Sequence, residues 1–496
     1  MLIRYLTALI AGACLPLAFA PFSIWPVVIF SPALLIYQLT FLRNPKSVFL
    51  LGLTFGIGYF GLGISWIYHS LHVFGHAPAV VAGALTLLMI LVLSSFIGAV
   101  LMLYQRIYNR YQNDNVLWVL PILWFSMEWI KGSIFTGLPW LSLGYAHIDS
   151  PLSGFAPLIG VYGLSSLSLV ISVALVMLAI DKKITNLIPI LLIVLPGFLL
   201  QTIDWTKPHG QPLLTTMIQG NIAQELKWRP EQRQNILNTY WNATRESLNS
   251  DLIVWPEVAI PGRKDELEEV VLNPLSEHMK ATGSHLLTGI LTSDHDKGGY
   301  YNSMILLGEN QGSYHKRHLV PFGEYYPFRE LLEFMKKYIR IPRTDTLPGS
   351  DDQPLMSVKG NKLGISICYE DVFSRDINND LPEANILINT SNDAWFGDSL
   401  APHQHLEIAQ MRSLETQRPM ARATNTGKSA FIDYKGNILQ QSDQFKEQAL
   451  TLSLQGRSGA TPFIGFALFQ PWLSMIILMI GLFVGFRSTS AKEKTE

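Results

Sequence analysis

The sequence predicts an α-helical membrane block joined to a layered α/β domain, and three observations predict it. Residues 1–203 carry few charged side chains, residues 204–460 have the charge density of a water-exposed domain, and residues 461–486 are apolar again. The apolar stretches of the first block reach the ~20 residues a spanning helix needs. The middle block alternates short β-branched runs with amphipathic helical ones, the order of a layered α/β fold. The chain of 496 residues is accordingly divided into 1–203, 204–460 and 461–496, the middle part having an ordinary single-domain size. A formal net charge of −1 gives no reason to expect a nucleic-acid partner.

Eight candidate spans fall near 5–21, 24–41, 47–67, 80–104, 115–131, 158–180, 185–202 and 462–486. Arg4, Arg43 with Lys46, Arg106 with Arg110, and Lys182 with Lys183 fall on every second connection. Short Lys/Arg-rich loops stay cytoplasmic, so seven spans place residue 204 outside the cytoplasmic membrane and the eighth returns the tail inside. Cys14 follows an apolar run as a lipidated cysteine would, but apolar sequence resumes soon after it, so the segment is read as an uncleaved first span. Glu128, an acid near a span end, has Lys131 three residues on. A structural ion pair and a substrate role both fit that pair.

In the middle block, Leu213–Ile222 and Asp251–Trp255 read as strands separated by a helix over Glu231–Leu248. Asp265–Thr282 is helical, and His285–Thr292 with Tyr301–Leu307 form a strand pair turned at Asp294–Gly299. Lys362–Ile367 and Asn385–Asn389 are strands, and His403–Arg422 reads as one helix. His403 and His405 lack the i, i+4 spacing of a helical metal pair, so no metal is expected there and a structural or gating role is. Two cysteines, one in an apolar span, form no disulfide framework.

Cys368 ends the apolar, β-branched run Leu363-Gly364-Ile365-Ser366-Ile367. A cysteine at a strand end is a candidate nucleophile, and a small core residue is the alternative. Glu257, in Trp255-Pro256-Glu257, and Lys316, in Tyr314-His315-Lys316, likewise sit at strand ends or just after apolar runs. These three residue types suffice for acyl transfer. A lysine ammonium favours thiolate and stabilises an oxyanion, while a glutamate moves the thiol proton and later activates the second nucleophile.

Trp255-Pro256-Glu257, Tyr314-His315-Lys316 with Leu319-Val320-Pro321-Phe322-Gly323-Glu324, and Ile367-Cys368-Tyr369-Glu370 resemble the Glu–Lys–Cys motifs of the nitrilase superfamily, in the same order. Adding Phe22–Pro26, Glu128–Tyr145, Ser391–Gly397 and His403–Gly427, the chain resembles the apolipoprotein N-acyltransferases of bacterial inner membranes nearly end to end. The resemblance implies an α-β-β-α sandwich on the periplasmic side and a multi-pass anchor. It implies a membrane phospholipid donor such as phosphatidylethanolamine and a diacylglyceryl apolipoprotein acceptor. No cofactor and no metal are implied. Cys368 becomes the nucleophile, Glu257 the general base and Lys316 the oxyanion and thiolate stabiliser. Glu324, Tyr369, Glu370 and Trp228 become supporting residues. Trp395 lies in an aromatic loop that, with Trp228, is expected to line the entrance for acyl chains. A membrane-anchored nitrilase-like amidohydrolase and a catalytically silent lipoprotein-binding protein are the alternatives. The apolar block argues against the first, and the complete Glu257–Lys316–Cys368 set against the second.

Overall fold

The computed structural model describes residues 2–325 and 346–492, the last helix by its backbone alone beyond Gly485. The chain divides into two compact units. One holds the helices up to Ile203 and the chain from Gly465 onward; the other holds Asp204–Ile464 together with Val73–Ala77.

Every segment read as a span contains a helix. These are α1 (Leu2–Cys14), α2 (Val27–Leu39), α3 (Pro45–Gly63), α4 (Ala79–Tyr111), α5 (Leu120–Lys131), α6 (Ala156–Asp181) and α7 (Ile188–Leu200), with a C-terminal helix over Pro462–Lys492. Four of the helical stretches, Pro45–Gly63, Ala79–Tyr111, Pro151–Asp181 and Pro462–Gly485, are long and apolar enough to cross a membrane. Leu2–Ala18, Val27–Leu39 and Ile184–Leu200 are apolar but shorter. Helix α5 has 12 residues, about 18 Å at 1.5 Å per residue, against a hydrocarbon core of about 30 Å. Among the described residues, the eight candidate spans correspond to four helices long enough to cross, three shorter apolar helices and α5. The tail beyond Lys492 lies outside the described residues.

Helices α3 and α4 pack through small residues. A Cβ built at Gly52 would lie 2.8 Å from the Cα of Gly98, so glycine is what lets these backbones meet. Glu128 and Lys131, for which an ion pair and a substrate role both fitted, each bond elsewhere. The Glu128 carboxylate accepts from Trp124 Nε1 and Leu143 N, both at 3.0 Å. Lys131 Nζ donates to the Trp140 carbonyl at 3.0 Å. Each ties the end of α5 to the segment that follows it.

Among its described residues the second unit holds twelve strands in two six-stranded sheets, besides a short pairing of Lys207–Pro208 with Arg457–Ser458. In chain order they are β1 (Leu213–Gln219), β2 (Leu252–Val254), β3 (His285–Asp294), β4 (Gly299–Leu307), β5 (Gly312–His315), β6 (Met356–Val358), β7 (Asn361–Ile367), β8 (Ile386–Ser391), β9 (Met420–Thr424), β10 (Ala430–Ile432), β11 (Ile438–Gln441) and β12 (Gln448–Leu454). One sheet runs β12-β1-β2-β3-β4-β5, the other β11-β10-β9-β8-β7-β6. The three strands β1, β2 and β3 are parallel, as are β7, β8 and β9; the flanking pairs are antiparallel.

Alternation along the strands explains the layers. Leu252 and Val254 join Leu287, Ile365, Ile367, Ile388 and Phe431 in the core between the sheets. Ile253, between them in sequence, points the other way and packs with Ile236, Tyr240 and Met279 from the helices Arg233–Arg245 and Asn273–Thr282. On the far face of the other sheet, Leu387, Met420 and Ile432 pack against Leu406 and Ala409 of the helix Ala401–Thr416. The result is an α-β-β-α sandwich.

The helix expected over His403–Arg422 stops at Thr416, and β9 begins at Met420. Gln417 closes it in the left-handed region (φ 46°), and Pro419 cannot continue a helix. Short or polar strands such as β5, β6, β11 and β12 lacked the apolar run that marked the others.

Candidate active site

Three parallel-strand ends supply the site. Glu257 follows β2, Cys368 follows β7 and Asn392 follows β8, while Lys316 follows the antiparallel β5. The loop after β2 approaches β3 so closely that a Cβ at Gly289 would lie 2.2 Å from the Val258 nitrogen. Glycine there lets the glutamate loop sit down on the sheet.

Lys316 is 1% exposed and Glu257 is 8% exposed. The Lys316 ammonium lies 3.5 Å from Glu257 Oε1 and grips both oxygens of Glu324, at 3.0 and 2.9 Å. Asn302 Nδ2 donates to Glu257 Oε1 at 2.8 Å and to Glu324 Oε1 at 3.1 Å. The Asn392 backbone N–H donates to Glu257 Oε2 at 2.9 Å, and that of Val320 to Glu324 Oε2 at 2.8 Å. Both carboxylates are therefore fixed in orientation. Burial pulls the Lys316 pKa down, but Glu324 and Glu257 outweigh it and hold the ammonium charged.

Cys368 is half-buried at the turn out of β7, with φ at 53°, a left-handed conformation rare outside glycine. Glu370, fully buried, holds that turn. Its Oε2 accepts from Ile367 N at 2.6 Å and from the Tyr314 hydroxyl at 2.9 Å; its Oε1 accepts from the backbone N–H of Arg317 at 2.5 Å and His318 at 3.1 Å. One carboxyl thus locks the nucleophile turn to the lysine loop. Burial pushes Glu370 up to about 8. Tyr369 stands edge-on to Phe373, ring centroids 5.0 Å apart.

Burial raises the Cys368 thiol pKa, Glu257 raises it further, and Lys316 only partly offsets them. The Lys316 charge, which favours the thiolate, is shared with the two carboxylates Glu257 and Glu324.

Glu257, Glu324, Asn302, Trp228 and Trp395 line one cavity of about 650 Å³. Trp228 is 52% and Trp395 40% exposed, so neither is a core anchor. Lys227 lines the same cavity, is 4% exposed and donates to the Glu257 carbonyl oxygen at 3.1 Å. Burial lowers its pKa to about 8, against the attraction of Glu257 and Cys368. Sequence reasoning passed over Lys227, Asn302 and Asn392. A polar Asn302 inside an apolar strand was the one signal available.

Behind the nucleophile lies a second charged cluster. Arg422 donates to Asp371 at 2.9 Å and to Asp393 at 3.1 Å. His405 bridges the same two carboxylates, Nε2 to Asp371 at 2.9 Å and Nδ1 to Asp393 at 3.0 Å. His405 Nε2 also lies 3.3 Å from the Cys368 carbonyl oxygen. Burial and Arg422 oppose a charged His405, but Asp371 and Asp393 raise its pKa to about 9. His405 is therefore structural, and both of its ring nitrogens are used within the cluster.

Residues 11–174 match the family described as the apolipoprotein N-acyltransferase N-terminal domain, and residues 214–463 match carbon-nitrogen hydrolase. The chain is 39% identical over 487 residues to the apolipoprotein N-acyltransferase of Nitrosomonas europaea, covering 97% of this chain and 96% of that one. It is 38% identical over 481 residues to that of Coxiella burnetii, covering 95% and 98%. Among solved structures, Saccharomyces cerevisiae Nit3, a member of branch 10 of the nitrilase superfamily, aligns at 17% identity and TM-score 0.38 over 54% of this chain and 97% of its own. With the Glu–Lys–Cys motifs gathered at the strand ends of an α-β-β-α sandwich and similarity running the length of both units, the chain belongs to the apolipoprotein N-acyltransferases, nitrilase-superfamily enzymes of lipoprotein N-acylation.

Proposed function

We propose that Cys368 carries the acyl group between two half-reactions, taking it from a membrane glycerophospholipid and giving it to the α-amino group of a diacylglyceryl-cysteine. The observation that carries this reading is the Glu257–Lys316–Glu324 cluster, fixed by Asn302 and the Asn392 N–H on a cavity of about 650 Å³.

In the first half-reaction the Cys368 sulfur attacks the ester carbonyl carbon while Glu257 takes the thiol proton. The carbonyl oxygen becomes an oxyanion, which the Lys316 ammonium stabilises. Collapse breaks the ester C–O bond. The lysophospholipid alkoxide leaves with the proton from Glu257, and a thioester remains. In the second, the amine attacks the thioester carbonyl, Glu257 removes the amine proton, and Lys316 again holds the oxyanion. The C–S bond breaks, the sulfur regains the proton, and an amide has formed. Glu324 keeps Lys316 aimed, and Glu370 keeps the Cys368 turn in place. Trp228 and Trp395 present aromatic surface to the lipid chains.

Phosphatidylethanolamine is the proposed donor, and residues 204–460 are proposed to lie on the periplasmic side of the inner membrane. The Lys/Arg bias of the short loops supports that orientation. A phosphatase fusion at residue 250 is then active. For the chemistry, enzyme incubated with phospholipid and no acceptor releases one equivalent of lysophospholipid and stops, and adding a diacylglyceryl-cysteine peptide restarts release. Continuous free fatty acid without acceptor would instead make water the acceptor and the enzyme a hydrolase.

A further inference from the structure

The cavity that holds Glu257 is lined by more positive charge than the acyl-transfer chemistry uses. Arg229, Arg233 and Arg263 line it beside Lys227. Arg233 spends only Nε, which donates to the Pro261 carbonyl at 3.0 Å. Its two terminal nitrogens, and the whole guanidinium groups of Arg229 and Arg263, have no hydrogen-bond or ion-pair partner among the described residues. Arg233 lies against Gly262, its guanidinium carbon 3.8 Å from a Cβ built there, and Arg263 is the next residue. The cavity's acids do not cancel this charge. Glu257 and Glu324 are bound to Lys316, and Glu266 is the remaining acid among the described lining residues.

Lys227 is an independent second observation. A cation 4% exposed, with no carboxylate within 4 Å among the described residues and one carbonyl partner, is costly unless an anion joins it. It belongs to the same cavity wall.

We propose that Arg233 and Arg263, with Arg229, form a subsite for the phosphodiester of the acyl donor, and that Lys227 extends the positive field inward to the Glu257 loop. This rests on the reading that Cys368 accepts its acyl chain from a phospholipid. A guanidinium fork fits two phosphate oxygens at once, which a single ammonium does not. In a glycerophospholipid the phosphorus lies a few bonds from either ester carbonyl, roughly 6–8 Å at single-bond lengths near 1.5 Å. That span lets one donor set its phosphate beside the arginines and an ester toward the Glu257 wall of the same cavity. The subsite separates donor recognition from bond making: it contacts the part of the donor that leaves as lysophospholipid, and it is vacated before the amine acceptor arrives.

The test compares two donors on the full-length enzyme in detergent micelles. Phosphatidylethanolamine carries the phosphodiester, and p-nitrophenyl butyrate does not. The rate of Cys368 acylation by each is measured for wild type, for the Arg233→Gln/Arg263→Gln double variant and for Arg233→Lys. The double variant lowers the ratio of phospholipid to ester rate by roughly thirtyfold, as loss of charge-assisted hydrogen bonds implies. Arg233→Lys, which keeps the charge and loses the fork, gives an intermediate ratio. Glycerophosphoethanolamine competes with the phospholipid in wild type and loses that effect in the double variant. An unchanged ratio, whether both rates fall together or neither falls, overturns the subsite. So does competition by inorganic phosphate alone, which would make it a free-phosphate site. Failure of wild type to be acylated by either donor would instead overturn the thioester reading itself, so the two ideas fail separately.

Discussion

Two clusters of buried charge stand on either side of Cys368 in the catalytic unit, and they are built to opposite ends. Asp371, Asp393, His405 and Arg422 close on one another: two acids, two cations, each at most 1% exposed. Glu257, Glu324 and Lys316 are equally tightly bonded, but the two glutamates line a cavity of about 650 Å³ and Lys316 binds one charge in excess of its own. The closed cluster pairs its two acids with its own two cations, and its His405 reaches the carbonyl of Cys368. The open cluster keeps acceptor capacity on Glu257 for a proton and donor capacity on Lys316 for an oxyanion. Burial alone does not mark a catalytic group; burial with unfinished pairing beside a cavity does.

The comparison breaks first at Arg422. Arg422→Met leaves Asp371 and Asp393 buried with only His405 between them, and chemical denaturation should show a loss of about 3–5 kcal/mol. Should that variant be as stable as wild type, the closed cluster is not a scaffold. Glu257→Gln gives the opposite profile. Its stability stays close to wild type while acyl transfer falls at least about a hundredfold, since general-base contacts contribute on that scale. Large unfolding with modest loss of rate would move Glu257 into the scaffold class.

A smaller effect tests the charge on His405. Its folded pKa of about 9 lies above the ordinary value of ~6.5, so its contribution is full below about pH 6.5 and is lost as pH rises through about 9. The melting-temperature gap between wild type and His405→Gln should narrow from pH 6 to pH 10. A gap that widens would mean the imidazole is neutral in the fold. The smallest stability effect belongs to Trp228→Ala. With the ring half exposed, thermal stability changes by less than about 0.5 kcal/mol, while transfer to a diacylated lipopeptide drops several-fold more than acylation by a short soluble ester.

The catalytic unit was legible where sequence and layer agree. Leu252-Ile253-Val254 is apolar at every position because each side of its strand is covered, and it reads directly as a buried parallel strand. Cys368 and Glu257 announced themselves by ending such runs, and Lys316 by its motif. What stayed hidden was long-range. Nothing local says that Glu370 bonds Ile367, Tyr314, Arg317 and His318 at once, or that Asp371 and Asp393 share His405 and Arg422. The lysine's partners were hidden for the same reason: residue types give its charge, but only the fold reveals that two carboxylates share it. In the helical unit, hydropathy located the longer helices and overstated the length of some, because it does not separate an α-helix from the 3-10 turns Leu15–Ala18 and Asp114–Val119 that continue or precede it.

The central claim is that the open cluster works by charging one sulfur. Intact-protein mass spectrometry after incubation with phosphatidylethanolamine and no acceptor tests it most directly. The mass of wild type should rise by one acyl group, neutral hydroxylamine should remove it, and peptide mapping should place it on Cys368; Cys14→Ala should label as wild type does. Labelling that persists in Cys368→Ala, or a wild type that transfers acyl chains without ever carrying one, would contradict the account.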